Sequence, residues 1–211
     1  KSESRLCVIK TDLLIARFSD GASKATLRDD LISIINCISN AWCPNCVRMS
    51  TGTGLKKKYH PIYFLQYYIA LKRVLAMSIL LNIDKSYVNK IRMILERDQI
   101  NDAFFDLCLS KFYKDSKISD NFNLTKPKND LLTIIKSTSK DEAQLLIVKY
   151  LDKNWLNSYK KDRYFNSHKA KEREDPYFIG YWAFEVAAIV KIKGLDDSSF
   201  RDHKYYPSQL L

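Results

Sequence analysis

The sequence predicts an all-α fold: an irregular bundle of about seven to nine helices, arranged as two halves packed together. Three observations predict it. Glycine and proline number only 5 each in 211 residues, too few for the tight turns that a sandwich or barrel needs. Apolar residues recur at three- and four-residue intervals through much of the chain. With 46% hydrophobic and 28% charged residues, the composition is globular and can support a core.

The elements follow in order. Leu27, Leu31, Ile34, Ile35 and Ile38 make Thr26 to Ala41 an amphipathic helix, capped by Ser23 or Thr26. Arg48 to His60, with Gly52 and Gly54, reads as a loop. A long helix is expected from Ile62 to about Leu81, with Pro61 in its first turn, where an N–H is not needed. Its Tyr63, Phe64, Tyr67, Leu71, Val74, Leu75 and Ile79 form a wide apolar face. Asp84 caps the next helix, carrying Val88, Ile91, Ile94 and Leu95, and Asp98 or Asn101 caps one carrying Phe104, Cys108 and Phe112.

Lys114 to Lys128 is polar and closed by Pro127, which makes it the boundary between an N-terminal half, 1–118, and a C-terminal half, 119–211. Leu131, Leu132, Ile134 and Ile135 predict a short helix. Ser139 and Glu142 form a capping-box pattern before Leu145, Val148, Leu151 and Trp155. Ser158 to Pro176 is charged, with Tyr164, Phe165 and His168 set in it. A final helix is expected from about Tyr177 to Lys193, ended by Gly194, with Asp196 or Asp197 capping a short last turn.

The net charge is +11 and uneven: residues 1–119 carry 19 Lys and Arg against 11 Asp and Glu, and residues 120–211 carry 16 against 13. Lys56, Lys57 and Lys58 are the densest run. Such a surface attracts nucleic acid, anionic membrane or an acidic protein, and charge alone does not choose among them. Val74 to Ile83, the longest apolar stretch near the middle, is interrupted by Ser78 and Asn82 and is too short for the ~20 residues of a membrane span. The chain starts at Lys1 without Met, so its natural N-terminus is expected to lie upstream. Five cysteines, an odd number, fit free thiols in a reducing cytosol better than a disulfide framework.

Few constellations point to catalysis. Cys43-Pro-Asn-Cys46 is a CxxC, with Cys37 upstream and His60 downstream. Zinc needs four soft ligands in tetrahedral reach, and this set supplies four. Neither a second CxxC nor a paired histidine motif accompanies it, so free thiols are the preferred reading. The three histidines, His60, His168 and His203, lie far apart, and no phosphate loop, HExxH or nucleophile elbow occurs. Asp84 to Arg97 lacks the short turn and basic recognition helix of a helix-turn-helix. Glu185, expected on a helical face with Tyr181, Trp182, Ala188 and Ile189, should be partly buried and need a partner. Without a second acid, an anchor through Arg201, His203 or a backbone amide is preferred over a catalytic acid.

The run Phe178-Ile179-Gly180-Tyr181-Trp182-Ala183-Phe184-Glu185-Val186-Ala187-Ala188-Ile189, then Gly194-Leu195-Asp196-Asp197-Ser198-Ser199-Phe200 and His203-Lys204-Tyr205-Tyr206-Pro207, resembles the C-terminal domain of the PoNi family, the immunity proteins of polymorphic nuclease (PoNe-type) effectors. Tyr150 to Trp155 and the aromatic stretch after it are similar to that domain too, and residues 26–118 are more loosely similar to the family's N-terminal domain. The resemblance implies an all-α, cytoplasmic protein that binds and inhibits a DNA-degrading toxin passed between bacteria, often by type VI secretion. It implies no catalysis and no cofactor, and a cognate nuclease as partner with no membrane. Gly180, Tyr181, Trp182, Glu185, Tyr206 and Pro207 are then structural motif residues. Asp196, Asp197 and Asp202 form a candidate acidic contact patch, and Lys56, Lys57 and Lys58 the competing basic one. A chain this basic does not fit a simple acidic DNA mimic. The alternative is a basic, helical nucleic-acid-binding protein.

Overall fold

The computed structural model describes residues 2–51, 59–114, 117–120, 122, 128–160 and 179–211. Lys56, Lys57 and Lys58, the stretch 161–178 with Tyr164, Phe165 and His168, and much of the expected boundary near Pro127 lie outside the described residues.

Two helices carry apolar side chains all round, and such helices are stable only when enclosed. The first is α3 (Leu65–Leu80), in which Tyr68, Leu71, Val74, Leu75 and Met77 are fully buried. The second is α9 (Phe184–Lys193), buried without a break from Phe184 to Val190. They pack against each other. Around them lie α1 (Ser2–Ser19), α2 (Lys24–Ala41), α4 (Lys85–Arg97), α5 (Ala103–Ser110), α6 (Lys128–Lys136) and α7 (Lys140–Lys149). α7 runs on through a π-helical segment, Tyr150–Trp155, into α8 (Leu156–Tyr159). α1 packs on α2 and α3, α4 on α2, α5 on α3, α6 and α9, and α6 on α7. One hydrophobic cluster therefore draws side chains from Cys7 to Leu210. Each large apolar side chain buried in it contributes about 1.5–3 kcal/mol.

The fold is all-α, as the sequence predicts, with one small exception among the described residues. Val47–Thr51 (β1) pairs antiparallel with Tyr59–Tyr63 (β2), with Val47 opposite Tyr63 and Met49 opposite Pro61. The expected loop from Arg48 to His60 is thus a hairpin, and Pro61 sits in its second strand instead of a helix turn. Both strands of a two-stranded ribbon are edges, where proline's missing N–H is tolerated. Burial of Ile62 and Tyr63 holds this ribbon on the core and delays the start of α3 to Leu65.

Other boundaries shift for local reasons. Asp102, and not Asp98 or Asn101, caps α5: its carboxylate accepts from Phe104 and Phe105 N–H at 3.0 and 3.3 Å. Asp98 is buried beside the Tyr63 hydroxyl, which donates to it at 2.7 Å. Asp84 stands at the start of α4, but its side chain pairs with Arg28 at 3.0 Å. Ser23 caps α2 and Ser139 caps α7, each accepting from the N–H three residues on. The Glu142 carboxylate takes the Ser137 hydroxyl rather than completing the box. Gly194 ends α9 with φ +60°, the left-handed conformation that lets Leu195 N–H reach Val190 O. α1 escapes sequence reading because its apolar residues lie on both faces: Cys7, Leu14 and Ile15 are buried while Leu6, Ile9 and Leu13 are exposed.

Candidate functional site

The motif run near the C-terminus forms a non-helical strap at residues 179–183, followed by α9. Residues 179–183 are not helical, so the final helix starts at Phe184 instead of near Tyr177, and Tyr181 and Trp182 do not share a helical face with Glu185. The reason lies at Gly180. Its φ is +87°, and a Cβ there would fall on Ser19 Oγ and Trp182 Nε1. Only glycine permits that backbone and that approach. Ser19, at the end of α1, donates to Ile179 O at 2.7 Å and accepts from Trp182 Nε1 at 2.8 Å. The Trp182 ring meets Phe18 edge-on at 5.0 Å. Ala183 N–H donates to Tyr205 O at 2.8 Å, which ties the strap to the chain end.

Glu185 is buried, as its setting in the sequence predicts, but its partners differ from the expected ones. Lys72 Nζ on α3 and Trp155 Nε1 both donate to its Oε1, at 3.2 and 3.1 Å. Arg201 instead pairs with Asp197, at 2.9 Å from Nε and 2.5 Å from Nη2. Glu185 is thus an ion-paired anchor between α9, α3 and the π-helical segment. The nearby buried pair Arg73–Asp12, at 3.0 Å, joins α3 to α1 in the same way. Lys72, Ser19 and Asp12 carry no sequence motif, so nothing in the linear pattern marks them.

The chain end closes over this anchor. The Tyr205 ring lies 4.7 Å from Trp155 and 6.4 Å from Tyr181. Tyr206 is buried, edge-on to Phe200 at 5.1 Å, and burial beside the Asp197 carboxylate pushes its hydroxyl well above the usual tyrosine range. Pro207 is buried and leads into the last turn. Asp197, only 4% exposed, is held inside, whereas Asp196 and Asp202 are exposed. Asp196 accepts from the Ser198 hydroxyl and N–H at 2.8 and 3.0 Å, and these bonds hold its carboxyl below the usual range. Asp202, His203 and Asp152 line a shallow pocket of about 230 Å³. Tyr205 N–H donates to His203 Nδ1 at 3.3 Å, so Nε2 carries the proton of the neutral ring, 3.6 Å from Asp152. Burial lowers the His203 pKa, against the pull of Asp152, so this contact is not an ion pair at neutral pH.

A family model of the C-terminal region of PoNe immunity proteins (PoNi) matches residues 100–210. The chain belongs to the PoNi family. No curated protein and no solved structure matches it. The PoNi match takes in the strap, α9, the Asp196–Asp202 turn and the buried Tyr206-Pro207 end, and with them Glu185 and its partner Trp155, whereas Lys72 lies outside the matched residues. No described helix is long and apolar enough to cross a membrane.

Four of the five cysteines, Cys7, Cys37, Cys43 and Cys46, lie around the first turns of α1, and Cys108 is apart from them on α5. Cys37 meets Cys7 on α1, Sγ to Sγ 3.0 Å, and not the CxxC. Cys43 lies against Ser4: Ser4 Oγ accepts from Cys43 N–H at 3.2 Å and touches Cys43 Sγ at 3.4 Å, which lowers the Cys43 pKa. Burial pushes the Cys46 thiol up to about 11. His60 is exposed on β2. Among the described residues no three His, Cys, Asp or Glu side chains converge as a metal site.

Proposed function

We propose that this PoNi-family chain binds and neutralises a cognate nuclease toxin in the cytoplasm of the cell that makes both, and catalyses no reaction. The family match carries this reading. The inward-turned motif supports it: Glu185 is paired with a lysine, Asp197 with an arginine, and Trp182 with a serine, which builds a rigid scaffold rather than a reacting centre. The toxin is a DNase of the kind delivered between competing bacteria, type VI secretion being one route.

A DNase must offer a basic surface to the phosphate backbone. We assign the contact to the exposed carboxylates Asp152 and Asp202, which line one shallow pocket, together with exposed Asp196 six residues before Asp202. A local acidic face can steer a basic partner even when the net charge is +11, because charges beyond about 8–10 Å are screened at physiological salt. Lys56–Lys58 is the competing contact. The test is coexpression with the adjacent toxin gene. A stoichiometric complex on gel filtration and survival of cells that otherwise die support the reading; a toxin that neither binds nor is neutralised overturns it.

A further inference from the structure

We propose that Cys7 and Cys37 form an oxidation site, a dithiol between α1 and α2 that a hydroperoxide converts to a disulfide. The two sulfurs stand 3.0 Å apart, about 1 Å beyond the ~2.05 Å of an S–S bond. Both sit on long helices that pack together, so the pair is held in place and not brought together by chance loop motion. Their exposures differ: Cys7 is fully buried and Cys37 half-buried. An oxidant therefore meets Cys37 first, and Cys7 is its resolving partner.

The step balances without another reactant. The Cys37 thiolate attacks one oxygen of the hydroperoxide and the O–O bond breaks. Cys37 becomes a sulfenic acid, and an alcohol leaves, or water when the oxidant is hydrogen peroxide. Cys7 Sγ then attacks Cys37 Sγ, the S–O bond breaks, and the departing hydroxide takes the Cys7 proton as water. Two thiols are oxidised by two electrons and one peroxide bond is reduced. The buried position of Cys7 protects it from direct oxidation while leaving it 3.0 Å from the one sulfur that it must attack.

The other cysteines serve as internal controls. Cys43 faces Ser4, and Cys108 is fully buried on α5. The proposal is independent of toxin binding. In the test, the fully reduced chain is treated with hydrogen peroxide, unfolded, alkylated and digested for peptide mass mapping. Cys7 and Cys37 are expected to be the two of five thiols that escape alkylation, joined in one cross-linked peptide that a reductant separates. In Cys37→Ser, Cys7 should remain fully alkylatable. The proposal fails if Cys7 in the unsubstituted chain stays alkylatable once Cys37 is oxidised, or if the cross-link is confined to Cys43 and Cys46.

Discussion

Replacing Glu185 by alanine should be among the most damaging single changes in the C-terminal region. The carboxylate is 5% exposed and accepts from both Lys72 Nζ and Trp155 Nε1. Its loss leaves an ammonium whose side chain is 17% exposed without its counter-charge. Breaking a buried pair costs about 3–5 kcal/mol, and the residual access of Lys72 to water places this one near 3 kcal/mol. With a urea slope toward the upper end of about 1–3 kcal/mol per molar, the unfolding midpoint falls by about 1 M. Lys72→Met leaves the opposite defect, a buried carboxylate with its cation gone. The double variant Glu185→Leu, Lys72→Met removes both charges and should recover most of the stability. Urea unfolding of the unsubstituted chain, Glu185→Leu, Lys72→Met and the double variant closes the cycle, with Glu185→Ala measured beside them. A Glu185→Ala loss below about 0.5 kcal/mol, the range of an ordinary surface change, or strictly additive single losses, would refute the buried-pair argument.

Four further outcomes are expected. Gly180→Ala forces a side chain into the left-handed region and onto Ser19 and Trp182, and should cost about 2–4 kcal/mol in the same unfolding assay. Since burial lowers the His203 pKa, the unfolded chain binds the proton more readily, so stability is full above the unfolded value of ~6.5 and declines as pH falls below it. His203→Gln should flatten that decline between pH 7 and pH 5. Asp152→Lys with Asp202→Lys should slow association with the toxin about tenfold in stopped-flow mixing at low salt, with the fold unchanged by circular dichroism. If the +11 charge signals only non-specific attraction, DNA retardation in gels should vanish between about 50 and 200 mM salt; retention at 200 mM favours the nucleic-acid-binding alternative.

Helices whose apolar residues fall on one face are legible without a structure. α2 and α4 are such cases, because Leu27 to Ile38 and Val88 to Leu95 repeat at helical spacing and bury that face. α1 is not, because Leu6, Ile9 and Leu13 stay exposed and blur the period. The hairpin is masked by its glycines and by Pro61, which read as loop and helix start until the ribbon pairs. For Glu185, burial follows from its apolar neighbours in the sequence, whereas its partner does not: Lys72 lies 113 residues away on another helix.

The sequence by itself determined the helical class, the caps at Ser139 and Gly194, the burial of Glu185 and the PoNi resemblance, and it narrowed the cap of α2 to Ser23 or Thr26. These depend on neighbours within a few residues, or on a motif read along the chain. Tertiary structure alone decided that the GYWAFE run begins as a strap, that Asp197 is internal while Asp196 and Asp202 face solvent, and that Cys37 belongs with Cys7. Each depends on which groups packing brings within a few ångströms, and pairings such as Ser19 with Trp182, 163 residues apart, have no local signature.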